Sequence, residues 1–388
     1  MKSKLIILIV LSFALRSLGQ EEFTITKYVK EIGNTKPIPI SLSGFSGEVA
    51  SVLRLDLEIQ GFKVVDGEPP QFQLSGSNSG NVQGRLTDAI NKSSPPLVAK
   101  AYTGGTIRAQ AHALADEVVM AVLKIKGVGS TKIAFKVDTG RTGEIYIADF
   151  DGYNAANVTQ DKSIVAAPDW VQGRMMLYYT SYKSGKPWIY RHNLSTGERN
   201  PAAHYPGSNI SPAVSPDGKR IAMVLDKDGW TDLYASNIDG SGLTRLTTSR
   251  EDESSPCWSA DGQWIVFATK MSGRRALAKV PVAGGTPQKI VTTGVSNPTE
   301  PDCSPDGKWI VFTAQMGGFE LCVIPAAGGT ATLLVSGEDP SFAPNSRTVI
   351  FARRSGEGRT LSLLDVFTKQ SKDVRRISGS NSQPSWAK

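Results

Sequence analysis

The sequence predicts a small amino-terminal α/β domain followed by a six-bladed β-propeller. From about Ser130 onward, strand-like units recur roughly every 44 residues, the period of a four-stranded blade. Residues 20–127 lack that period and hold two apolar-striped helical segments among short strands. A stub of the repeat, Pro384-Ser-Trp386, stands at the chain end without followers. The 388 residues, 40% hydrophobic and 20% charged, are enough for two or three domains and too apolar for a disordered chain.

The first element is a targeting segment. Lys2 and Lys4 precede a short apolar run, Leu5 to Leu15, and Ser17-Leu18-Gly19 places small residues where a signal peptidase cuts. A signal peptide over residues 1–19 is expected. The run is too short to span a bilayer comfortably, so the mature protein is expected to be exported and soluble, with no direct membrane insertion. Three of the basic residues behind the formal +7 charge lie in this leader (Lys2, Lys4 and Arg16), and no Lys/Arg-rich run follows. Nucleic-acid binding is therefore not expected. The next segment, Gln20 to Ile32, is polar and alternates weakly through Phe23, Ile25 and Tyr28. That pattern suits a strand that docks reversibly as a switch, and a disordered tail is the alternative.

The amino-terminal domain, residues 20–127, reads as strand Pro37–Leu42, helix Gly47–Gln60, strand Gly61–Val65, then strands at Phe72–Leu74, Val82–Asp88 and Leu97–Tyr102. Its second helix, Thr106 to Lys126, carries an apolar stripe of Ile107, Ala111, Leu114, Val118 and Val122, and Gly127 is expected to end it. Eleven basic and eleven acidic side chains leave this domain without a net field.

Residues 128–388 carry the blades. The clearest copies are Ser211-Pro-Ala-Val-Ser-Pro-Asp-Gly218, Ser255-Pro-Cys-Trp-Ser-Ala-Asp-Gly262 and Glu300-Pro-Asp-Cys-Ser-Pro-Asp-Gly307. Worn copies begin at Pro340 and Ala166, aligning Ala166, Val214, Trp258, Cys303, Phe342 and Trp386. Asp-Gly favours the tight reversal into the next strand, such as Ile221–Leu225 or Trp264–Ala268. One blade before Ala166 lacks its first strand. Gln383–Trp386 is expected to supply it, closing the ring and removing a free edge. The repeated Trp258, Trp264, Trp309 and Trp386 are expected to pack blades together.

If every inner strand starts at one rim of the central channel, the residues just before it gather at one mouth. These are Ser208, Asn209, Glu253, Ser254, Asn297, Glu300, Glu338, Asp339 and Gln383. Most carry side-chain oxygens. Free carboxylates placed this closely call for a basic or amide-rich partner surface, and solvated loop acids are the alternative. Calcium held by these oxygens is a further alternative, although no ligand loop of fixed spacing is present.

Signs of catalysis are sparse. The sequence has no Gly-x-Ser-x-Gly, no His-Glu-x-x-His, no Cys-x-x-Cys and no phosphate loop. His112 lies in a helix, while His192 and His204 flank blade-edge loops. No catalytic residue, metal or cofactor is expected. The alternatives to a non-enzymatic binding protein are a propeller enzyme, of the polysaccharide lyase or peptidase kind, and a carbohydrate-binding propeller using Trp188, Tyr190 and Trp230. Cys257, Cys303 and Cys322 all lie in strand-like runs and are expected to be buried free thiols, with one disulfide plus a free thiol as the alternative.

Two runs carry a family resemblance. Ala111-His-Ala-Leu-Ala-Asp-Glu-Val118, followed by Ile125-Lys-Gly-Val-Gly-Ser-Thr-Lys-Ile-Ala134, is similar to the domain junction of TolB proteins. The blade motif and the order of leader, small domain, six blades and closing strand resemble that family as well. Gly207-Ser208-Asn209 stands where family members often have Gly-His-Asn. The resemblance implies a periplasmic, non-enzymatic component of the Tol–Pal envelope system, supporting outer-membrane integrity and cell division. It further implies that a Pal-like outer-membrane lipoprotein binds at a propeller mouth and that a TolA-like inner-membrane protein binds the amino-terminal segment. A monomer is expected.

Overall fold

A computed structural model describes residues 31–388. The expected leader and switch residues Phe23, Ile25 and Tyr28 lie outside the described residues. The amino-terminal unit is a five-stranded sheet of order β2-β1-β3-β4-β5, with strands β1 Ile38–Ser43, β2 Phe62–Val64, β3 Phe72–Ser77, β4 Gln83–Asp88 and β5 Val98–Ala101. β1 runs parallel to β2 and β3, and the remaining pairs are antiparallel. Helices α1 (Gly47–Glu58) and α2 (Ile107–Leu123) pack on each other and on this sheet. Their apolar stripes are Val49, Val52, Leu53 and Leu57 on α1, and Ala111, Leu114, Val118 and Val122 on α2. They join Ile40, Phe62 and Leu74 in one core. The Thr106 hydroxyl caps α2 by accepting from the Ala109 N–H at 3.1 Å. The helix ends earlier than Gly127: Lys124 adopts a left-handed φ of 59° and its N–H closes onto the Met120 carbonyl.

The rest of the chain forms six four-stranded antiparallel sheets arranged as a propeller, with one two-stranded parallel pairing, Thr292–Thr293 with Gly329–Thr330, between the fourth and fifth blades. The inner strands are Ser380–Trp386 for the first blade, then Val165–Trp170, Asn209–Val214, Ser254–Trp258, Pro298–Cys303 and Glu338–Phe342 for the second to sixth. The first blade is completed from the chain end. Ser380–Trp386 pairs with Lys132–Asp138, placing Trp386 opposite Ile133, and Trp386 is 1% exposed. The closing strand is therefore longer than residues 383–386. The observed alignment also moves the worn second-blade copy by four residues, because Trp170, not Ala166, ends its inner strand as Val214 and Trp258 end theirs.

Apolar cores lie between successive blades. Ala213, Val224 and Leu233 of the third blade meet Trp258, Ile265 and Phe267 of the fourth. Trp258 Nε1–H donates to the Ala213 carbonyl at 2.8 Å, so this tryptophan joins blades as expected, and Trp170 Nε1–H makes a like bond to the Ser385 carbonyl at 3.2 Å.

The amino-terminal unit sits where blades six and one meet, at the ends where inner strands finish. The Thr348 hydroxyl donates to the Ile59 carbonyl at 3.2 Å, and Asn345 Nδ2 donates to Gln60 Oε1 at 3.4 Å. Buried Arg108 pairs with Glu48 of its own unit at 2.8 Å and with buried Asp151 of the first blade. His112 Nδ1 lies 2.7 Å from Asp56 Oδ2, and its ring meets Phe150 edge-on. His112 is thus a clamp residue between the two units.

Removing residues 380–388 unpairs Lys132–Asp138 and exposes the Trp386 pocket. Loss of that tryptophan alone should cost about 3–5 kcal/mol. The truncated protein should melt far below the intact chain or aggregate through the opened edge. Unchanged melting and solubility would contradict ring closure by this strand.

Candidate partner-binding mouth

Each inner strand carries the same irregularity. Its second, third or fourth residue takes a left-handed backbone and precedes a proline: Ala167, Ser211, Ser255, Glu300, Asp339 and Gln383, with φ between 48° and 55°. The ladder register slips at this point in all six blades. A proline donates no hydrogen bond, so the bulge frees the strand from a pairing it could not complete. The following prolines, Pro168, Pro212, Pro256, Pro301, Pro340 and Pro384, line the channel.

The bulge side chains form part of a ring. Glu300 Oε2 accepts the Asp339 N–H at 3.0 Å, Asp339 Oδ2 accepts the Gln383 N–H at 3.0 Å, and Gln383 Oε1 accepts the Ala167 N–H at 3.0 Å. Ala167 has no acceptor to offer, and the Thr180 hydroxyl accepts the Ser211 N–H instead, at 3.1 Å. One wall of the channel is therefore a chain of acids and amide, and the other wall is small residues. Burial, reinforced by the negative charge of Glu300, pushes the Asp339 carboxyl up to about 7.

The nine residues singled out from sequence separate into three groups. Glu300, Asp339 and Gln383 are brought together on the ring. Glu253, Glu338 and Asn209 are turned into the blades. Glu253 is 3% exposed and accepts from the Thr247 hydroxyl, the Ser249 hydroxyl (2.9 Å) and the Leu233 N–H (3.1 Å). Glu338 is buried against Arg354, at 3.1 Å, and Arg359. Asn209 is fully buried and closes its own loop, accepting the Tyr205 N–H and donating to the Tyr205 carbonyl, both at 2.9 Å. The third group remains at the surface: Asn297 is exposed, while Ser208 and Ser254 are half-buried. The expectation of a mouth full of free carboxylates is corrected, because these acids are already occupied by donors of their own chain.

Sequence reasoning missed a cationic groove beside Asn297. It is a cavity of about 780 Å³, lined by Lys270, Arg274, Arg275 and Lys289. Lys270 and Arg275 face each other across the ladder, an unfavourable like-charge pair. All four side chains are exposed. The signal is the run Lys270-Met-Ser-Gly-Arg-Arg275, a Gly-containing reversal with three basic side chains and no acid.

The remaining candidates are placed as follows. His192 lies within a strand, Trp188–Asn193, rather than beside a loop, and burial pushes it down to about 4, so it is neutral. Tyr190 is 3% exposed beneath Lys183 and Trp188 is half-buried against His204, whereas Trp230 is exposed. Among the described residues no three His, Cys, Asp or Glu side chains converge as a metal-ligand set.

With this geometry in view, the comparisons are specific. Residues 120–388 match the TolB beta propeller domain. The Tol-Pal system protein TolB of Bordetella pertussis is 32% identical over 310 residues, which cover 79% of this chain and 71% of that protein. The chain belongs to the TolB family. The Bordetella bronchiseptica TolB matches equally, at 32% over 310 residues and 70% of its length. The crystal structure of TolB from Acinetobacter baumannii superposes with a TM-score of 0.80 at 20% identity, covering 92% of this chain and 98% of that one, which shows a common fold.

Stability should reflect the ring's acid pair. Asp339 holds its proton to about pH 7 when folded and to about 3.8 when unfolded. Its contribution is therefore full below pH 4 and is lost as pH rises from about 4 to 7. Asp339→Asn keeps an acceptor for the Gln383 N–H and removes the titration. The variant should be more stable than the native chain at pH 7.5 and differ little from it at pH 4, measured by urea unfolding. An equal difference at both pH values would contradict the assignment.

Proposed function

We propose that this TolB-family chain is a non-enzymatic, periplasmic component of a Tol–Pal system that binds an outer-membrane lipoprotein at the propeller mouth where inner strands begin. Family membership supports the system, and the relatives at 32% identity are named for it. The observation that carries the site is the division of polar groups at this face. The buried acids hold the blades, leaving Ser208, Ser254, Asn297 and the Lys270–Arg275 hairpin for a partner. The lipoprotein surface that fits is rich in carboxylates and amides, because Arg274 and Arg275 can each grip a carboxylate through two N–H groups. The segment before Ile32 serves a TolA-like inner-membrane partner. Its continuation is anchored to the sixth blade: Gly33 N–H donates to the Val366 carbonyl at 3.0 Å and Thr35 N–H to the Phe367 carbonyl at 3.1 Å.

The test is binding of the purified soluble domain of the cognate lipoprotein. Arg274→Glu with Arg275→Glu should slow association about tenfold or more at low salt and leave melting nearly unchanged, since both side chains are exposed. Asn297→Trp should weaken binding by obstruction. Glu253→Lys is unsuitable as a probe because it places a cation among three donors inside a blade. If neither surface variant alters binding, the partner site lies elsewhere.

A further inference from the structure

Five of the six seams between inner strands are fastened by hydrogen bonds. Beyond the ring and tryptophan contacts above, Asp169 Oδ2 accepts the Val214 N–H at 2.7 Å, Asp302 Oδ2 accepts the Phe342 N–H at 2.7 Å, and the Ser341 hydroxyl accepts the Trp386 N–H at 3.1 Å. The seam between blades four and five differs. Among the described residues, its inner strands share no bond from a backbone or indole N–H; the same two positions hold Cys257 and Cys303, whose thiols touch with the sulfurs 3.5 Å apart, and the backbone pairing between these blades lies farther out, Thr292–Thr293 with Gly329–Thr330.

Both thiols reach the channel. Each is 8% exposed and lines a cavity of about 480 Å³ at the mouth where inner strands finish, away from the proposed partner rim. The ammonium of Lys388 enters this cavity and is held by Asp302 at 2.6 and 2.8 Å. Its positive charge favours the thiolate of Cys257, against the larger effect of burial, which pushes that thiol up. Cys322 is fully buried on the third strand of the fifth blade and makes no sulfur–sulfur contact.

We propose that Cys257 and Cys303 are a disulfide site that fastens the fourth blade to the fifth, taking the place of the hydrogen bonds used at the other seams. The oxidant is a disulfide, either a low-molecular-weight one or that of a thiol–disulfide oxidoreductase. One cysteine loses its proton and attacks the oxidant, forming a mixed disulfide and expelling one thiolate. The second cysteine then loses its proton and attacks the bound sulfur, expelling the other thiolate. The two protons are taken up by the two released thiolates, and the two electrons lost by the protein pair reduce the oxidant's sulfur–sulfur bond. The bond closes a loop of 46 residues through the blade core, so it restrains the unfolded chain as well as the seam.

The experiment uses the exported chain, reduced and then equilibrated with oxidised glutathione. Unfolding in N-ethylmaleimide follows, with mass measured on the whole protein and on a non-reduced tryptic digest. The expected result is loss of two alkylatable thiols, with the peptides containing Cys257 and Cys303 linked and Cys322 labelled. Oxidation should raise the melting midpoint, dithiothreitol should reverse the rise, and Cys303→Ser should abolish it. Cys322→Ser should leave the linkage intact, which separates the pair from general oxidation. Three labelled thiols after equilibration, glutathione adducts without a linked peptide, or a bridge through Cys322 would each overturn the proposal. None of these outcomes bears on lipoprotein binding at the other mouth.

Discussion

The structure depends on a backbone constraint repeated six times: a non-glycine residue in the left-handed region, immediately followed by proline, in every inner strand. Such a conformation costs roughly 1–2 kcal/mol per residue. It persists because it breaks the ladder where proline cannot donate and, in three blades, turns a polar side chain toward the neighbouring blade. Glu300, Asp339 and Gln383 each accept the N–H of the next left-handed residue. At these three blades the strain is thus offset by a bond to the next blade, and the run of bonds crosses the seam between the chain end and the first part of the propeller. That gives the chain-end strand its importance, since Gln383 completes two of these bonds and Trp386 fills the core beneath them.

The same constraint redistributes the charge at the mouth. Residues that sequence places on a rim are divided by strand alternation into those facing the channel and those entering a blade. An acid entering a blade must be paired or protonated, so Glu253 gathers hydroxyls and an N–H while Glu338 gathers two guanidiniums. Hairpin side chains are under no such demand. Lys270, Arg274, Arg275 and Lys289 remain exposed in a groove, and the electrostatic character of this part of the face is set by them.

Much of the fold was legible because it is written in period and pattern. Four strands about every 44 residues, Asp-Gly reversals and an orphan stub at Trp386 specify blades, number and closure. Apolar spacing located both helices, although the left-handed stop at Lys124 has no signature when a glycine stands three residues later. The Ala166 copy was misaligned because its blade replaces the Asp-Gly turn with Gln172-Gly173 and leaves only Pro168 as a landmark. The rim's chemistry was less legible. Sequence shows that Glu253 precedes a strand, but not that the Thr247 and Ser249 hydroxyls fold back onto it. The Pro after each left-handed residue was visible in all six blades, and its regularity was the available clue to a bulge ring.

The position of the amino-terminal unit follows from the one junction where the propeller is made from both chain ends. The third strand of blade six ends in the turn Asp365–Phe367, which Arg347 holds through Asp365 at 2.7 Å. Gly61 lies against that guanidinium with φ at 100°, so closely that a side chain would collide with Arg347 Nη2. Gly33 and Thr35 donate to Val366 and Phe367 of the same turn, while Ile59 packs in one core with Ile350 and Trp386. The start of the described chain, the small domain and the closing strand therefore share a single packed junction. A partner that pulled on the segment preceding Ile32 would act on this junction directly, through the two backbone bonds at Gly33 and Thr35. Those bonds border the Arg347–Asp365 pair, and the closing strand lies in the core beside them. A rigid propeller has few places where chain outside the blades can meet the ring, and here Gly33 and Thr35 are held beside the seam where ring closure itself is decided.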